Sequence, residues 1–174
     1  MRYSKITISG KICSGKSTLF LQLEKYLKWP IVHTGQIFRD YVKKHNLKLD
    51  KAQEQNEELT KKIDFKVRDM LKEKGNLLAD SWMAGIMADH FPGVLKILLI
   101  CKDSKRYQRF AARENVTIEE ASKRVENRQK NWGDRMEKIH KRNDFFDKKN
   151  YDLIIDTSTI SSEEVFNLVL SHLK

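Results

Sequence analysis

The segment that most restricts what this chain can fold into is Gly10-Lys11-Ile12-Cys13-Ser14-Gly15-Lys16-Ser17. It fits the pattern G-x-x-x-x-G-K-[ST], the P-loop. Its surroundings suit the pattern. Residues 3–9 (YSKITIS) carry the β-branched alternation of a strand, and residues 16–27 place Leu19, Leu21, Leu23 and Leu27 on an amphipathic helix. A strand–loop–helix unit of this kind wraps a phosphate in backbone N–H groups and adds the partial positive charge of a helix N-terminus. Gly10 and Gly15 let the backbone come close. Lys16 then reaches the β- and γ-phosphates of a nucleotide such as ATP, Ser17 supplies a ligand to Mg²⁺, and Thr18 lies near the α-phosphate. The competing reading is a glycine turn leading into a lysine-capped helix.

The remaining pattern predicts four more strands, at Pro30–His33, Asn76–Asp80, Val94–Cys101 and Tyr151–Asp156, with helical stretches over 35–74, 103–143 and Ser162–Leu173. Strands alternating with helices predict an α/β fold, a doubly wound five-stranded parallel sheet with helices on both faces. Asp80 ends a buried strand at the edge where such sheets bind ligands. It can hold Mg²⁺ through water, take a proton from an attacking group, or simply cap the next turn.

The chain has 174 residues, suited to one domain. No apolar run approaches the roughly 18–20 residues of a membrane span, and no signal-type apolar core stands at the N-terminus. A cytoplasmic monomer is the expectation. Two cysteines, Cys13 and Cys101, make neither a disulfide framework nor a zinc site. The charge is the unusual quantity. Lys plus Arg total 34 and Asp plus Glu 24, a formal net charge of +10. The excess is densest over 96–149 and reverses in the tail from 150, which carries 1 basic and 4 acidic residues. An anionic partner is implied, either small phosphates or nucleic acid.

The ordered motifs resemble those of cytidylate-kinase-like nucleoside monophosphate kinases, with the archaeal-type branch nearest in pattern. HTGQIFRD (His33 to Asp40) resembles their T-G-x-[IY]-[FY]-R segment. GNLLADSWMAG (Gly75 to Gly85) resembles the strand ending D-G-R or E-G-R-x-A-G. FPGVLKILLICKDSKRYQRFAARE leads, as in the family, toward an arginine-bearing lid with two arginines seven apart, as at Arg128 and Arg135. YDLIIDTS resembles the last strand. The resemblance implies ATP- and Mg²⁺-dependent phosphoryl transfer to a nucleoside monophosphate, of CMP or dCMP type. It implies a core over 1–34, 75–105 and 150–174, a helical acceptor-binding insertion over about 35–74 and a basic helical lid over about 106–149.

On this reading Thr34, Gly35 and Arg39 hold the acceptor, Arg39 by its phosphate. Arg124, Arg128 and Arg135 share a helical stripe that would close over the phosphates, Arg124 toward ATP, with Lys16, Asp80, Arg128 and Arg135 as the catalytic set. The alternative for such a stripe is a solvated face paired with Glu126, Asp134 and Glu137. Asp64 and Arg68, four apart, either bind the acceptor or form an exposed ion pair. Arg109 and Arg113 either reach the nucleotide or form a surface ladder with Asp103 and Glu114.

The chain departs from the family pattern at Lys11-Ile12-Cys13, within the loop, and at Trp82, which stands where the family has an acceptor-binding arginine. A tryptophan cannot replace a guanidinium on a phosphate, but it can pack against a base. Trp29, Trp82 and Trp132 are scattered in sequence, which argues against a nucleic-acid stacking platform. The charge outside the stripe keeps two alternatives open: a P-loop kinase for another small acceptor, and an RNA-associated P-loop NTPase or RNA-end kinase.

Overall fold

A buried strand organises the molecule. In the computed structural model, which describes residues 2–46 and 57–173, β1 (Lys5–Gly10) is buried along its whole length. It pairs in parallel with β3 (Leu77–Asp80) on one side and β4 (Val94–Ile100) on the other. β2 (Ile31–His33) adds beyond β3, and β5 (Leu153–Asp156) beyond β4. The five-stranded, all-parallel sheet has the order β2-β3-β1-β4-β5. The neighbours of β1 are therefore strands 3 and 4, and the chain crosses over at its C-terminal end. That is the position where parallel α/β sheets open a ligand crevice.

Helices cover both faces because the strands are apolar on both. On one face α1 (Lys16–Leu27) and α7 (Ser162–Leu173) set Leu19, Phe20, Leu23, Val165 and Val169 against Ile6, Ile8, Leu95 and Ile97. On the other, α3 (Glu57–Lys72) and the short α4 (Ala84–Met87) pack Val67, Leu71, Ala84 and Ala88 on Val32, Leu77 and Ala79. Each buried Val, Leu, Ile or Phe among them contributes about 1.5–3 kcal/mol by leaving water. α2 (Thr34–Lys44) follows β2 directly. Residues 47–56 of the expected insertion lie outside the described residues.

The helical stretch predicted over 103–143 is two helices, α5 (Asp103–Glu114) and α6 (Ile118–His140). Asn115 takes a left-handed φ of 54° and ends the first. Thr117 caps the second, its side chain accepting from the Glu120 backbone N–H at 3.2 Å. Glu119 and Glu120 in the first turn complement the helix dipole. α6 reaches back over the site through a satellite core of Met83, Ile86, Met136 and Phe145.

One close approach fixes α4 against the segment leading into β5. A Cβ on Gly85 would sit 2.4 Å from the buried Tyr151 ring, and the Gly85 N–H donates to Ser9 Oγ at 3.2 Å. Tyr151 in turn donates its hydroxyl to the Phe145 carbonyl. Gly85→Ala is expected to lower stability by about 1–3 kcal/mol in chemical denaturation. In a Tyr151→Leu background the same substitution should cost clearly less, because the ring it strikes is gone.

Candidate active site

The loop between β1 and α1 is held from outside. Gly10 has a φ of 149° and a Cβ there would meet the Leu99 carbonyl at 2.4 Å, so only glycine fits. Gly15, at φ 99°, caps α1 in the left-handed region. Lys16 Nζ folds back across the loop and donates to the carbonyls of Gly10 (2.8 Å) and Lys11 (2.9 Å). Arg106, buried on α5, donates through Nε to the Ile12 carbonyl at 2.7 Å and forms an ion pair with Asp103. Arg109 donates to the Cys13 carbonyl at 3.3 Å and to the Thr157 carbonyl at 2.6 Å. Thr157 Oγ1 donates to the Ser14 carbonyl at 2.9 Å. Ser14 Oγ is buried and has no hydrogen-bond partner among the described residues.

A cavity of about 520 Å³ opens beside this loop. From the sequence-predicted residues it gathers Ile12, Cys13, Lys16, Ser17, Thr34, Gly35, Arg39, Asp64, Asp80, Trp82, Arg128 and Arg135 on its walls. Gly10, Lys11 and Ser14 form the loop behind it. Gly15 and Thr18 line a second hollow of about 280 Å³, together with Gln22, Arg109 and Thr157. Two predicted residues lie elsewhere. Arg68 pairs with its neighbour Asp69 at 2.9 Å and lies over the Phe65 ring. Arg124 lies over the Phe110 ring and 3.6 Å from Glu120, although it shares the stripe of Arg128 and Arg135. Its offset of about 40° from Arg128 turns it toward α5.

The acid of the site is Asp80, at 4% exposure. Burial raises its carboxyl above the usual range, opposed by Lys16 and His33. Burial likewise lowers Lys16 to about 8, opposed mainly by Asp80. Each charge is thus expensive alone and supported by the other. His33 was not among the predicted residues. Its Nε2 lies 3.3 Å from Asp80 Oδ2 and 3.2 Å from Arg39 Nη2. One ring nitrogen can donate to the carboxylate or accept from the guanidinium, not both. Burial holds His33 below the ordinary imidazole value. Arg39 is further engaged by Gln36, whose Oε1 accepts at 2.8 and 3.0 Å.

Beside the loop one wall is aromatic, with Trp82 packed in the same cluster as Ile12 and Cys13. The Trp82 and Trp132 rings lie 4.1 Å apart between centroids, and Trp132 also meets Phe145 and Phe146. Lys16 Nζ is 5.8 Å from the Trp82 ring. Trp132 and Thr60 join the cavity without having been singled out for it in sequence. Asp64, one of the alternatives in sequence, is buried and meets His140 at 2.9 Å, not Arg68. Among the described residues no group of three His, Cys, Asp or Glu could hold a metal by itself, and no helix is long and apolar enough to cross a membrane.

Comparison with known proteins narrows the chemistry. The model of the cytidylate kinase-like family matches residues 5–159. A cytidylate kinase of Haloarcula marismortui is 32% identical over 168 residues, covering 95% of this chain and 86% of that protein. An S-adenosylmethionine-dependent nucleotide dehydratase of Lacinutrix mariniflava is 31% identical over 174 residues, but these make up only 36% of that protein. Among solved structures, a shikimate kinase from Acinetobacter baumannii superposes with a TM-score of 0.62 at 13% identity, covering 98% of this chain and 93% of that one. This last likeness is one of fold.

The tryptophans make the cavity observable. A nucleotide entering it should change the emission of Trp82 and Trp132, while Trp29 packs against the distant core of α1 and α7. Titrating ATP and nucleoside monophosphates should quench or shift the fluorescence. The response should vanish in the Trp82→Phe, Trp132→Phe double variant; a response that survives there would place the ligand elsewhere.

Proposed function

The chain belongs to the cytidylate kinase-like family and is a nucleotide kinase acting on nucleoside monophosphates, and on that premise we propose that it transfers the γ-phosphoryl group of ATP, with Mg²⁺, to the phosphate of CMP or dCMP. The observation that carries this reading is a shared volume. Lys16 and Ser17 of the loop line the same cavity as Arg39 and Asp64 of the α2–α3 segment and Arg128 and Arg135 of α6. Donor and acceptor phosphates can therefore meet there. We take α2–α3 as the acceptor-binding insertion and α5–α6 as the lid, on a core that holds the loop.

In the proposed reaction an oxygen of the acceptor phosphate attacks the γ-phosphorus. The bond from that phosphorus to the β,γ-bridging oxygen breaks, and ADP leaves. The acceptor monoester is already largely ionised at neutral pH, since its second pKa is about 6. No protein base is required at the attacking oxygen. The task is to position the two phosphates and neutralise them. Lys16 is assigned to the donor β- and γ-oxygens, which would replace the Gly10 and Lys11 carbonyls it now meets. Arg39 is assigned to the acceptor phosphate, exchanging Gln36 and His33 for it. Arg128 and Arg135 are assigned to the transferring group, where charge spreads over its oxygens.

The residues present fit Mg²⁺. A cation that keeps several waters and binds mainly through substrate phosphates needs only one or two protein oxygens. Ser17 Oγ and, through water, the buried Asp80 would supply them. When bound, the ion would neutralise charge on the donor phosphates. Ser14, whose buried hydroxyl has no partner of its own, suits a loop built around a phosphate.

A coupled assay for ADP release tests the reading. The protein should turn over CMP and dCMP in the presence of ATP and Mg²⁺. Lys16→Met and Arg128→Ala should each lower kcat by about 10³-fold or more, the scale of an arginine finger. Retained ATP binding with no turnover of any monophosphate would refute the proposal.

A further inference from the structure

The buried carboxylate and the exposed guanidinium of the site share one ring nitrogen. β2 and β3 pair with His33 beside Asp80, and both side chains line the cavity. His33 Nε2 lies 3.3 Å from Asp80 Oδ2 and 3.2 Å from Arg39 Nη2. Two of the three groups are anchored. The imidazole meets the Phe20 ring edge-on at 4.8 Å between centroids, and the Asp80 carbonyl accepts from Thr34 Oγ1 at 3.1 Å. Arg39 is exposed and rests on Gln36 and His33. A Cβ on Gly35 would lie 3.2 Å from His33 Nε2 and 3.4 Å from Arg39 Nη1, so the glycine leaves room for their contact. The proposed reaction gives His33 no task of its own.

Nε2 can serve only one of its two neighbours. With its proton on Nε2, the ring donates to the carboxylate and sets an N–H against a guanidinium that has only donors. With its proton on Nδ1, it accepts from Arg39 and turns a lone pair toward the carboxylate. With both nitrogens protonated, it again donates to the carboxylate alone.

We propose that His33 is a positioning residue that couples acceptor binding to the setting of the Asp80 carboxylate by changing its tautomer. The inference rests on the assignment of Arg39 to the acceptor phosphate made above. Arg39 on His33 holds the Nδ1–H form. Arg39 drawn to the acceptor phosphate releases Nε2, which then carries the proton and donates to Asp80 Oδ2. The His33 side chain keeps 15% exposure, so water can carry the proton from Nδ1 to Nε2. The buried carboxylate, faced by a lone pair in the first form, is fixed by a donor in the second. His33 acts through Arg39 and Asp80 and is assigned no phosphate. Because coupling between two sites is reciprocal, acceptor and Mg²⁺-bound ATP should each tighten the other.

Long-range proton–nitrogen correlation spectra of protein labelled at its histidine nitrogens report which ring nitrogen carries the proton. They are recorded at about pH 8, above the ordinary imidazole range. The His33 signal is the one missing from His33→Gln. The wild type alone should show the Nδ1–H form, and saturating CMP (or AMP, GMP or UMP, should one of these bind more tightly) should move it to Nε2–H. Arg39→Ala, a change at an exposed position, should show Nε2–H without any nucleotide. Calorimetry with Mg²⁺ and the non-transferable β,γ-imido analogue of ATP reads the coupling. The monophosphate should tighten the analogue about fivefold or more in the wild type and about twofold or less in His33→Leu. His33→Gln, whose amide can still donate from the place of Nε2, should keep the coupling. In an Asp80→Asn background His33→Leu should change it no further. Should His33→Leu fail to fold, as judged by circular dichroism, the spectra of the wild type and Arg39→Ala decide. A ring that does not move on monophosphate binding or in Arg39→Ala, or a coupling that survives in folded His33→Leu, overturns the inference. A monophosphate that binds and shifts the ring but is never phosphorylated removes the transfer reading and leaves the coupling. Turnover with an unmoved ring does the reverse, and if no monophosphate binds, both fall.

Discussion

The site depends on how the carbonyls of one loop are held, those of Ile12, Cys13 and Ser14 by groups behind the loop and those of Gly10 and Lys11 by the Lys16 ammonium itself. From Gly10 to Ser14 every backbone oxygen is taken: two by Lys16, one each by Arg106, Arg109 and Thr157. A phosphate-binding loop must offer N–H groups to its ligand, and it can do so only if its carbonyls are satisfied elsewhere. Here the partners come from α1, from α5 and from the residue just past β5. The loop is therefore shaped by elements almost the whole length of the chain apart. Thr157 does two jobs in this arrangement, accepting from Arg109 at 3.0 Å while donating to Ser14. This also accounts for part of the basic charge: Arg106 and Arg109 support the loop, while Arg113 pairs with Glu114 at 2.8 Å.

Much of this architecture was legible in the sequence because its signals are local. The glycine-bounded loop, the apolar runs of β3 and β4 and the capping pattern of α7 each carry their cause within a few residues. The boundary between α5 and α6 is missed by the single stretch read over 103–143, although Asn115-Val-Thr117-Ile-Glu-Glu120 is a stop followed by a capping pattern. The surrounding run of charged helix formers hid it. What could not be read was pairing at a distance. Asp64 and Arg68 have the spacing of a helical ion pair, yet Asp64 faces inward to His140 and Arg68 faces its neighbour. Trp82 and Trp132, fifty positions apart, meet in one aromatic cluster. His33 carried no motif of its own, and its place between Asp80 and Arg39 follows from β2 ending beside β3. In each case tertiary packing, not propensity or spacing, chose the partner.

Trp82, which the resemblance sets at the place of an arginine, builds an apolar wall. The rings of Trp82 and Trp132, backed by Met83 and Met136, form a low-dielectric surface within the same cavity as Lys16, Asp80, Arg128 and Arg135. A wall without a cation adds no repulsion to the basic groups around it, and its low polarity strengthens each of them toward a phosphate. The pair Lys16 and Asp80 fits this setting. Each is held away from its charged form by burial and toward it by the other, and on the proposed reading the donor phosphates would take over the support of the lysine. Arg39 is in a similar position, resting on Gln36 and His33 through contacts that a phosphate could outcompete, since charge-assisted hydrogen bonds to phosphate are about twice as strong as neutral ones. If Arg39 takes the acceptor phosphate as proposed, His33 Nε2 is left to Asp80 alone. On that proposal, acceptor binding and the setting of the buried carboxylate are linked through one imidazole.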